Sequence, residues 1–505
     1  MLYLYVCIMN TWWSKSTGFA REEIAVFISG IVSMGIEILA GRVLAPEFGS
    51  TIYTWGSIIG VSLLALSLGY IRGGRTAKQA TLQSLDSLLI ISAVYIIFLT
   101  VFGDELLTLL SAFPVSPQYA AILPVLILFG PPTYFLGFIS PYAVELSSKE
   151  EKGEASGHFY ALGTIGSIIG AFGTTFVLIP WFAVSTIYVF FACLSVTPLI
   201  RNWSSWRSYS IVIFAVIGYF VAGTTVTPGN TIYEINTPYQ DLRVSEEEGV
   251  RTLYLDGQQQ SAMYINNTTA YPWTYTRYFH IPFLLSDSID NVLFVGGGGF
   301  SGPKRFVEEG VSVDVVELDQ GVIDTAKTYF NVSESNNLQI HTGDGRDFLQ
   351  RTNKTFDVVF LDAYRKYKVP FHLTTKEFIT RIYEKTTPTG MVFSNVIGTS
   401  SGPGSEFSRA QYKTINSVFD TTYYFPTSDV NVAQNIEIIG TKQPRITQRE
   451  LLRRNQDYTR MDLSTEIQQL QQPNTSDVPI LQDDYAPVES LLEPLISMQY
   501  VTQTR

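Results

Sequence analysis

NVLFVGGGGFSG (291–302) decides the fold of the C-terminal half of this 505-residue chain. The apolar run that opens it has the length and composition of a buried strand, and the glycines after it predict a tight turn into a helix over 302–310. A glycine turn lets the backbone come close to a ligand and directs a helix N-terminus at it. The stretch therefore predicts a strand–turn–helix unit with Gly296, Gly297 and Gly298 beside a bound ligand.

The sequence after this stretch alternates between apolar strands and gaps of helical length. The further strands are predicted at 313–319, 338–344, 356–363 and 390–397. This βαβαβ order implies a parallel, doubly wound sheet with right-handed crossovers. We therefore predict an α/β Rossmann-type core for the C-terminal half.

The flanks of this core set the predicted domain boundaries. Strands at 227–265, with one hairpin, predict a small N-terminal β-hairpin subdomain, and residues 420–442 predict added antiparallel strands. Residues 443–475 are polar and rich in glutamine and arginine, which predicts helical or loose structure. The predicted domains are thus a β-strand subdomain over 227–290, the Rossmann-like core over 291–442 and a C-terminal tail over 443–505.

Acidic residues end three successive predicted strands. Glu317 lies 19 residues after Gly298, where a carboxylate accepts hydrogen bonds from ribose hydroxyls. Asp344, directly before Gly345, ends the third strand, where it would meet an adenine amine, and Asp362 ends the fourth. For any one of these acids the alternative role is a helix N-cap. Together they predict a nucleoside-bearing ligand in one crevice, most simply an S-adenosyl compound.

The glycine turn also disfavours other nucleotide sites. It has no Gly-Lys-Ser/Thr after it, so a nucleoside triphosphate loop is not predicted, and the turn is not a regular Gly-x-Gly-x-x-Gly, which disfavours NAD.

The two cysteines, Cys7 and Cys193, lie outside this half, and the chain has four histidines. We therefore predict neither a disulfide framework nor a metal site there.

The first 226 residues predict an α-helical transmembrane bundle. Apolar runs close to the ~20 residues that a bilayer requires occur at 22–41, 53–71, 86–103, 119–143, 158–182, 184–200 and 208–226. These runs predict about seven helices, and an eighth is possible if 104–118 also crosses. The chain is therefore predicted to be a multi-pass protein of the cell membrane, in contact with membrane lipid.

Charge distribution leaves the side of the soluble half open. Lysines and arginines in loops 72–78, 144–157 and 201–207 favour a cytoplasmic position for these loops, and seven spans would then put the C-terminal half outside. A cofactor made in the cytoplasm favours the inside, which an eighth span would allow. The net charge of −11 falls almost entirely after residue 225, so nucleic acid is not a predicted partner.

Several motifs, in order, carry a family resemblance. They are TPYQDLRV (237–244), LDGQQQ (255–260), HIP (280–282), the glycine turn, VELD (316–319), GDG (343–345) and FLDAYRKYKVPFHLTTKEF (360–378). With these motifs the C-terminal half resembles spermidine synthases, the polyamine aminopropyltransferases. With the first span and DDYAPVE (483–489), the whole chain resembles the fusion in which a multi-spanning membrane domain precedes such a synthase.

The resemblance implies roles for individual residues. It implies a class I S-adenosylmethionine methyltransferase-like fold and, as co-substrate, decarboxylated S-adenosylmethionine or S-adenosylmethionine, with no metal. Gln240 would contact the thioadenosine end, and Asp362 would be the general base in catalysis. The glycine turn, Glu317, Asp344 and Gly345 would bind the cofactor. A homodimer is implied as well.

Departures from the family concern the acceptor. Gly299 replaces an acid that holds the transferable amine, and Arg365 replaces a second acid that holds the diamine. The family's Tyr-His-Glu falls on Thr274, Tyr275 and Thr276. Each lost charge-assisted bond costs on the order of 1–3 kcal/mol. We therefore predict a membrane-anchored transferase of polyamine-biosynthesis type with an altered acceptor, either an amine or another small molecule.

Two further functions stay open. Glu37, inside the first predicted span, and the missing acids would suit a transporter or membrane sensor whose soluble domain binds a nucleoside without catalysis. An S-adenosylmethionine-dependent methyltransferase acting on a lipid or a membrane protein would explain the anchor without an amine site.

Overall fold

A computed structural model describes residues 20–48, 51–113, 115–147, 152–202, 230–270, 272–363, 369–428 and 431–502. The chain divides into two compact units. One is drawn from the first 225 residues apart from 44–54 and 112–120, and the other comprises those two segments together with 226–505.

The described N-terminal part is helical. Its helices are α1 (Arg21–Phe48), α2 (Ile52–Thr76), α3 (Leu82–Ser111), α4 (Pro117–Ala120), α5 (Ile122–Leu128), α6 (Gly130–Gly137), α7 (Ile139–Leu146), α8 (Lys152–Gly173), α9 (Ile179–Trp181) and α10 (Val184–Val196), with 3₁₀ turns at Ala77–Gln79 and Thr197–Asn202. Among the described residues, four helices are long and apolar enough to cross a membrane, or five if a bent pair counts as one span.

Five of the seven predicted spans fall on the four long helices and the bent pair, and the predicted span 184–200 falls on the shorter apolar helix Val184–Leu199. The bent pair is Gln118–Leu128 with Gly130–Leu146, which meet at 54°. Pro131 and Pro132 come directly after the bend, and a proline at the start of a helix supplies no backbone donor to the preceding turn. Residues 104–111, considered for an eighth span, instead continue α3. The seventh predicted span, 208–226, lies outside the described residues.

The glycine-rich run of α8 explains how this unit packs. A Cβ atom added at Gly166 would overlap the carbonyl oxygen of Phe27, and one added at Gly170 would overlap that of Ile31. The backbones of α8 and α1 therefore approach closely at glycines, as in membrane helix pairs.

The second unit contains a seven-stranded sheet in the order β10-β11-β9-β8-β5-β6-β7. Its strands are β5 (Asn291–Val295), β6 (Ser312–Glu317), β7 (Leu338–Thr342), β8 (Phe356–Leu361), β9 (Thr386–Gly398), β10 (Thr421–Pro426) and β11 (Gln434–Thr441). Strands β5 to β9 pair in parallel, which confirms the predicted parallel sheet. β11 runs antiparallel to both of its neighbours.

Helices and two apolar cores cover the faces of this sheet. The helices are α11 (Pro282–Leu285), α12 (Ser301–Glu308), α13 (Gln320–Tyr329), α14 (Gly345–Arg351), α15 (Lys376–Lys385), α16 (Glu406–Asn416), α17 (Gln448–Asp457), α18 (Ser464–Gln468) and α19 (Val488–Thr502). One core centres on Phe294 and Phe360, whose rings stack with centroids 4.3 Å apart, and Phe279 packs edge-on against Phe360. The other contains Val295 and Leu361 on the opposite face.

Residues 231–264 form a separate antiparallel sheet. Where the sequence predicts a single hairpin, the strands β1 (Thr231–Asn236), β2 (Asp241–Glu247), β3 (Val250–Leu255) and β4 (Gln258–Tyr264) pair successively as a meander. Two tight turns have positive φ at both central residues, Glu248–Gly249 and Asp256–Gly257. Such turns match the twist of antiparallel strands.

The predicted C-terminal tail is part of both cores. Leu451, Leu463 and Ile467 are buried in the core around Phe294, and Leu481 and Leu492 are buried in the core on the other face. The single apolar residues in this polar stretch therefore tie it to the sheet.

Candidate active site

The candidate site lies at the carboxyl ends of the parallel strands, where the order of the sheet reverses. β5 has β6 on one side and β8 on the other, so the connections leave the sheet in opposite directions and open a crevice. A cavity of about 1240 Å³ occupies it. All eight predicted site residues line this cavity: Gln240, Gly296, Gly297, Gly298, Glu317, Asp344, Gly345 and Asp362.

The glycine turn brings backbone, rather than side chains, to the cavity wall. Gly296 has φ +100°, and a Cβ there would lie 2.5 Å from the carbonyl oxygen of Asp362. Phe300, fully buried, is left-handed with φ +57° as it starts α12, a conformation that costs energy outside glycine. Only glycine therefore fits where β5 passes the end of β8.

Glu317 ties this turn to the end of β6. One carboxylate oxygen accepts a hydrogen bond from the backbone N–H of Gly297 at 2.8 Å, and the other accepts from the N–H of Asp319 at 3.0 Å. These bonds fix the carboxylate at the cavity wall. Because a carboxylate oxygen can accept two bonds, acceptor capacity remains for hydroxyl groups of a ligand.

Asp344 is both a helix cap and a cavity residue. Its Oδ1 accepts from the N–H groups of Arg346 and Asp347, at 2.9 and 3.1 Å, and caps α14. Its Oδ2 lies 2.9 Å from Nε2 of His372. Burial alone would raise the pKa of Asp344, but the bonds from His372 and from the two backbone groups outweigh it and lower the pKa. Asp344 therefore has both the position at the cavity and the alternative role of helix N-cap.

Asp362 is a strand-end acid whose pKa is raised towards neutrality. Its carboxyl Oδ1 accepts from Nδ2 of Asn395 at 2.7 Å, and Asn395 Oδ1 in turn accepts from Nδ2 of Asn435 at 2.8 Å. Burial raises the pKa of Asp362 to about 6, against the lowering effect of the Asn395 bond. A carboxylate with such a pKa is ionised at pH 7 and is basic enough to accept a proton.

Gln240 connects the antiparallel sheet to the cavity. The side chain is buried, and its Nε2 donates to Asp319 Oδ2 at 2.8 Å. Asp319 also accepts from the Thr237 hydroxyl at 2.6 Å. Among the described residues the Gln240 Oε1 atom has no hydrogen-bond partner. A buried amide oxygen left in this way at a cavity wall is suited to a donor from a ligand.

Sequence reasoning missed four polar residues of this site. Asn395 lies inside β9, next to Ser394, which pairs with Leu361 at the end of β8. His372 and Asn435 also lie away from the ends of the parallel strands, so the strand-end rule selects none of these three residues. Glu437 pairs with Asn395 across β11 and β9 and is fully buried. Neither of its carboxyl oxygens has a partner among the described residues. Burial, and then the charge of Asp362, raise the pKa of Glu437 well above its usual value.

Neutral residues line the cavity at three of the positions that depart from the family. Thr274, Tyr275 and Thr276 belong to the 3₁₀ helix Thr274–His280 and line the cavity. A Cβ at Gly299 would lie 2.6 Å from the Ser261 hydroxyl and 3.1 Å from a Phe330 ring carbon.

The aromatic residues of 273–279 divide between the cavity and the core. Trp273 and Tyr275 line the cavity, Tyr278 is buried in the core, and Phe279 belongs to both. Arg365 and its neighbours Tyr364 and Lys366 lie outside the described residues.

Comparison with known proteins identifies this part of the chain. Residues 275–425 match the family model described as spermine/spermidine synthase domain. Residues 275–425 are therefore similar to a spermine/spermidine synthase domain. This region contains the glycine turn and the three strand-end acids, and Gln240 precedes it.

Relatives of this synthase domain extend the similarity beyond it. The polyamine aminopropyltransferase of Vibrio vulnificus is 26% identical over 228 residues, which cover 43% of this chain and 74% of that protein. A probable polyamine aminopropyl transferase of Bifidobacterium longum is 27% identical over 324 residues, 56% of this chain and 69% of that protein. The crystal structure of spermidine synthase from Thermotoga maritima has a TM-score of 0.40 and 18% identity, over 50% of this chain and 89% of that one.

Proposed function

We propose that this protein is a membrane-anchored aminopropyltransferase that uses decarboxylated S-adenosylmethionine and an acceptor other than a simple diamine. The observation that carries the proposal is the position of Asp362. Its carboxyl, with a pKa near 6, lines the same cavity as Glu317 and the glycine turn. A base and a nucleoside cradle in one cavity are what a transfer from an S-adenosyl compound needs.

The residues around the cavity fit the adenosyl part of the co-substrate. Glu317 has acceptor capacity for ribose hydroxyls, and Asp344 is an ionised acceptor for an exocyclic amine. The unpartnered amide oxygen of Gln240 is a further acceptor near the thioadenosine end. These acceptors also give the cavity negative charge, which favours a sulfonium cation.

The chemistry assigned to Asp362 is proton acceptance during displacement at carbon. The acceptor nitrogen forms a bond to the carbon next to the sulfonium, and the carbon–sulfur bond breaks with its electron pair moving to sulfur. Methylthioadenosine then leaves as a neutral thioether, and the proton of the acceptor nitrogen passes to Asp362. Asn395 holds the receiving carboxylate at 2.7 Å.

The acceptor is proposed to carry less positive charge than a diamine. Gly299 and Thr276 supply no charge where the family has acids, and Thr274 stands where the family has a tyrosine. The nearby cavity residues Gln434 and Asn435 are neutral hydrogen-bonding groups. Such a wall favours polar, weakly charged acceptors over a dication, whose desolvation it does not offset.

Membrane anchoring and a cytoplasmic synthase domain complete the proposal. Large apolar side chains such as Leu63, Phe98 and Phe172 are about half exposed on the helices, as expected for contact with lipid. The side can be tested with a single cysteine in place of Thr268, after replacement of Cys7 and Cys193. A membrane-impermeant maleimide should label it in lysed but not intact cells, and labelling of intact cells would place the domain outside.

Calorimetry on the detergent-solubilised full chain tests the function. We expect binding of decarboxylated S-adenosylmethionine and methylthioadenosine, and slow release of methylthioadenosine when amines are added. Absence of binding of any adenosyl compound would end the proposal. Methyl transfer from S-adenosylmethionine, without turnover of the decarboxylated compound, would favour the methyltransferase. Binding of an adenosyl compound without any turnover that depends on Asp362, as judged with Asp362→Asn, would favour a sensor or transporter.

A further inference from the structure

The C-terminal segment contacts the wall of the proposed cofactor site through one aspartate. Asp483 lies in the motif DDYAPVE, beyond the matched synthase domain. Its two carboxylate oxygens accept a two-pronged bond from Arg346, with Nη1 at 2.7 Å and Nη2 at 2.5 Å. Such paired bonds between a guanidinium and a carboxylate fix orientation as well as distance.

Asp483 is itself anchored on both sides. Its Oδ1 also accepts from the hydroxyl of the buried Thr375 at 2.7 Å, and its backbone N–H donates to Glu377 at 3.0 Å. Two residues earlier, the Leu481 carbonyl accepts from the N–H of Lys376 at 2.8 Å. The segment is therefore fastened to the start of α15, and its aspartate has a defined place.

Arg346 connects Asp483 to the cavity through hydrogen bonds. Its Nη1 donates to the carbonyl oxygen of His372 at 3.0 Å, in the 3₁₀ turn Phe371–Leu373. The His372 ring then meets Asp344 Oδ2 at 2.9 Å. Because an ionised carboxylate only accepts, the His372 Nε2 carries the hydrogen of this bond. His372 and Asp344 both line the cavity.

We propose that Asp483 is a positioning residue for the adenosyl end of the site, because it holds Arg346 and thereby the backbone of His372, whose ring orients the Asp344 carboxylate. The inference rests on the proposed function. It adds that a segment outside the matched synthase region supports the wall where the nucleoside is proposed to bind.

A matched control exists in the same C-terminal segment. Asp477 binds Arg409 through the same two-pronged arrangement, and Arg409 also donates to the Asn474 carbonyl at 2.9 Å. Neither Asp477 nor Arg409 lines the cavity. Asp477→Asn and Asp483→Asn thus remove the same kind of bond at two places, of which only one is connected to Asp344.

The test measures methylthioadenosine affinity by calorimetry on the full chain in detergent, together with Tm. We expect Asp483→Asn to raise the Kd about fivefold to tenfold, in keeping with a charge-assisted bond of about 1–1.5 kcal/mol. Asp477→Asn should leave the Kd within about twofold, with a comparable change in Tm. Asp483→Glu, which keeps a carboxylate for Arg346, should restore most of the affinity.

A double-mutant cycle supplies a second measurement. If Asp483 acts through Arg346, then Arg346→Lys should raise the Kd in the same direction, and the double variant should bind no worse than the weaker single variant. Arg346→Lys also serves if Asp483→Asn does not fold. Additive losses, or equal Kd values for Asp483→Asn and Asp477→Asn, would overturn the inference. Absence of binding by the wild-type chain would instead refute the proposed function.

Discussion

The two ends of the cavity differ in how their residues are held. At the adenosyl end, Glu317 and Asp344 are each fixed by two backbone N–H groups at the ends of sheet strands. At the end where we propose that the acceptor binds, Trp273, Tyr275 and Gln434 come from segments that flank the parallel strands. Binding of a ligand group by residues at strand ends depends on the sheet itself. Residues in the flanking segments can change, and with them the ligand group that they bind, while the sheet stays intact.

The largest expected effect separates chemistry from binding. Asp362→Asn removes the proton acceptor but keeps the shape of the side chain and a polar group for Asn395. Turnover should fall by about 10²–10⁴-fold, while the Kd for methylthioadenosine should change by less than about threefold. Rapid-quench assays of methylthioadenosine release, beside calorimetry, would measure both. Equal turnover in variant and wild type would remove Asp362 from the mechanism.

A smaller effect is expected at the adenosyl end. Glu317→Gln places an amide where two backbone N–H groups need acceptors, so one of them loses its partner. The Kd for every adenosyl compound should rise about 10–100-fold, since such a partly buried mismatch costs about 1–3 kcal/mol. Glu308→Gln is the control, because Glu308 is half exposed and its distance from Arg305 is 3.7 Å. Weakening by both variants alike would show a general loss of structure.

The sequence was sufficient to predict some residues of the candidate site but not others. Glu317, Asp344 and Asp362 were predictable because parallel strands carry their C-terminal residues to one edge whatever the remaining packing. Glu437 was not, because its burial depends on pairing between β11 and β9, which no local pattern specifies. The bond from Arg346 to Asp483 joins residues 137 positions apart and was equally hidden.

The fold shows the same division between local and distant information. The alternation of strand and helix predicted the parallel sheet, since each unit is local in sequence. The polar composition of 443–475 predicted helical or loose structure within a tail over 443–505, yet single leucines such as Leu451 and Leu481 are buried in the two cores. Burial of one residue per turn or loop leaves no periodicity to recognise.

Restoring the acid that Gly299 replaces would sharpen the contrast further. Gly299→Asp alone should destabilise the protein by about 1–3 kcal/mol, because its Cβ would lie 2.6 Å from the Ser261 hydroxyl oxygen and 3.0 Å from its Cβ. Combined with Ser261→Gly, the acid should fit, and thermal denaturation should show Tm recovering.

The double variant then tests recognition of the amine. It should bind decarboxylated S-adenosylmethionine several-fold more tightly than the single Ser261→Gly variant does, since one charge-assisted bond is worth about 1.5–3 kcal/mol before desolvation. Methylthioadenosine, which lacks the aminopropyl group, should bind both variants equally. A gain for both ligands would mean that the loop, rather than the amine, had responded.

The smallest expected signal is the release of a fraction of a proton when the ligand binds. This release connects the two ends of the cavity. With a pKa of about 6, Asp362 is half protonated at pH 6. A sulfonium cation bound nearby favours the carboxylate and lowers this pKa, so binding at pH 6 should release up to about half a proton. Neutral methylthioadenosine should release almost none, and neither ligand should release one at pH 8, where Asp362 is already ionised. Calorimetry in buffers of different ionisation enthalpy measures the difference. Equal release with both ligands, or release that persists in Asp362→Asn, would place the titrating group elsewhere, because only a charge beside Asp362 couples this proton to the presence of the sulfonium.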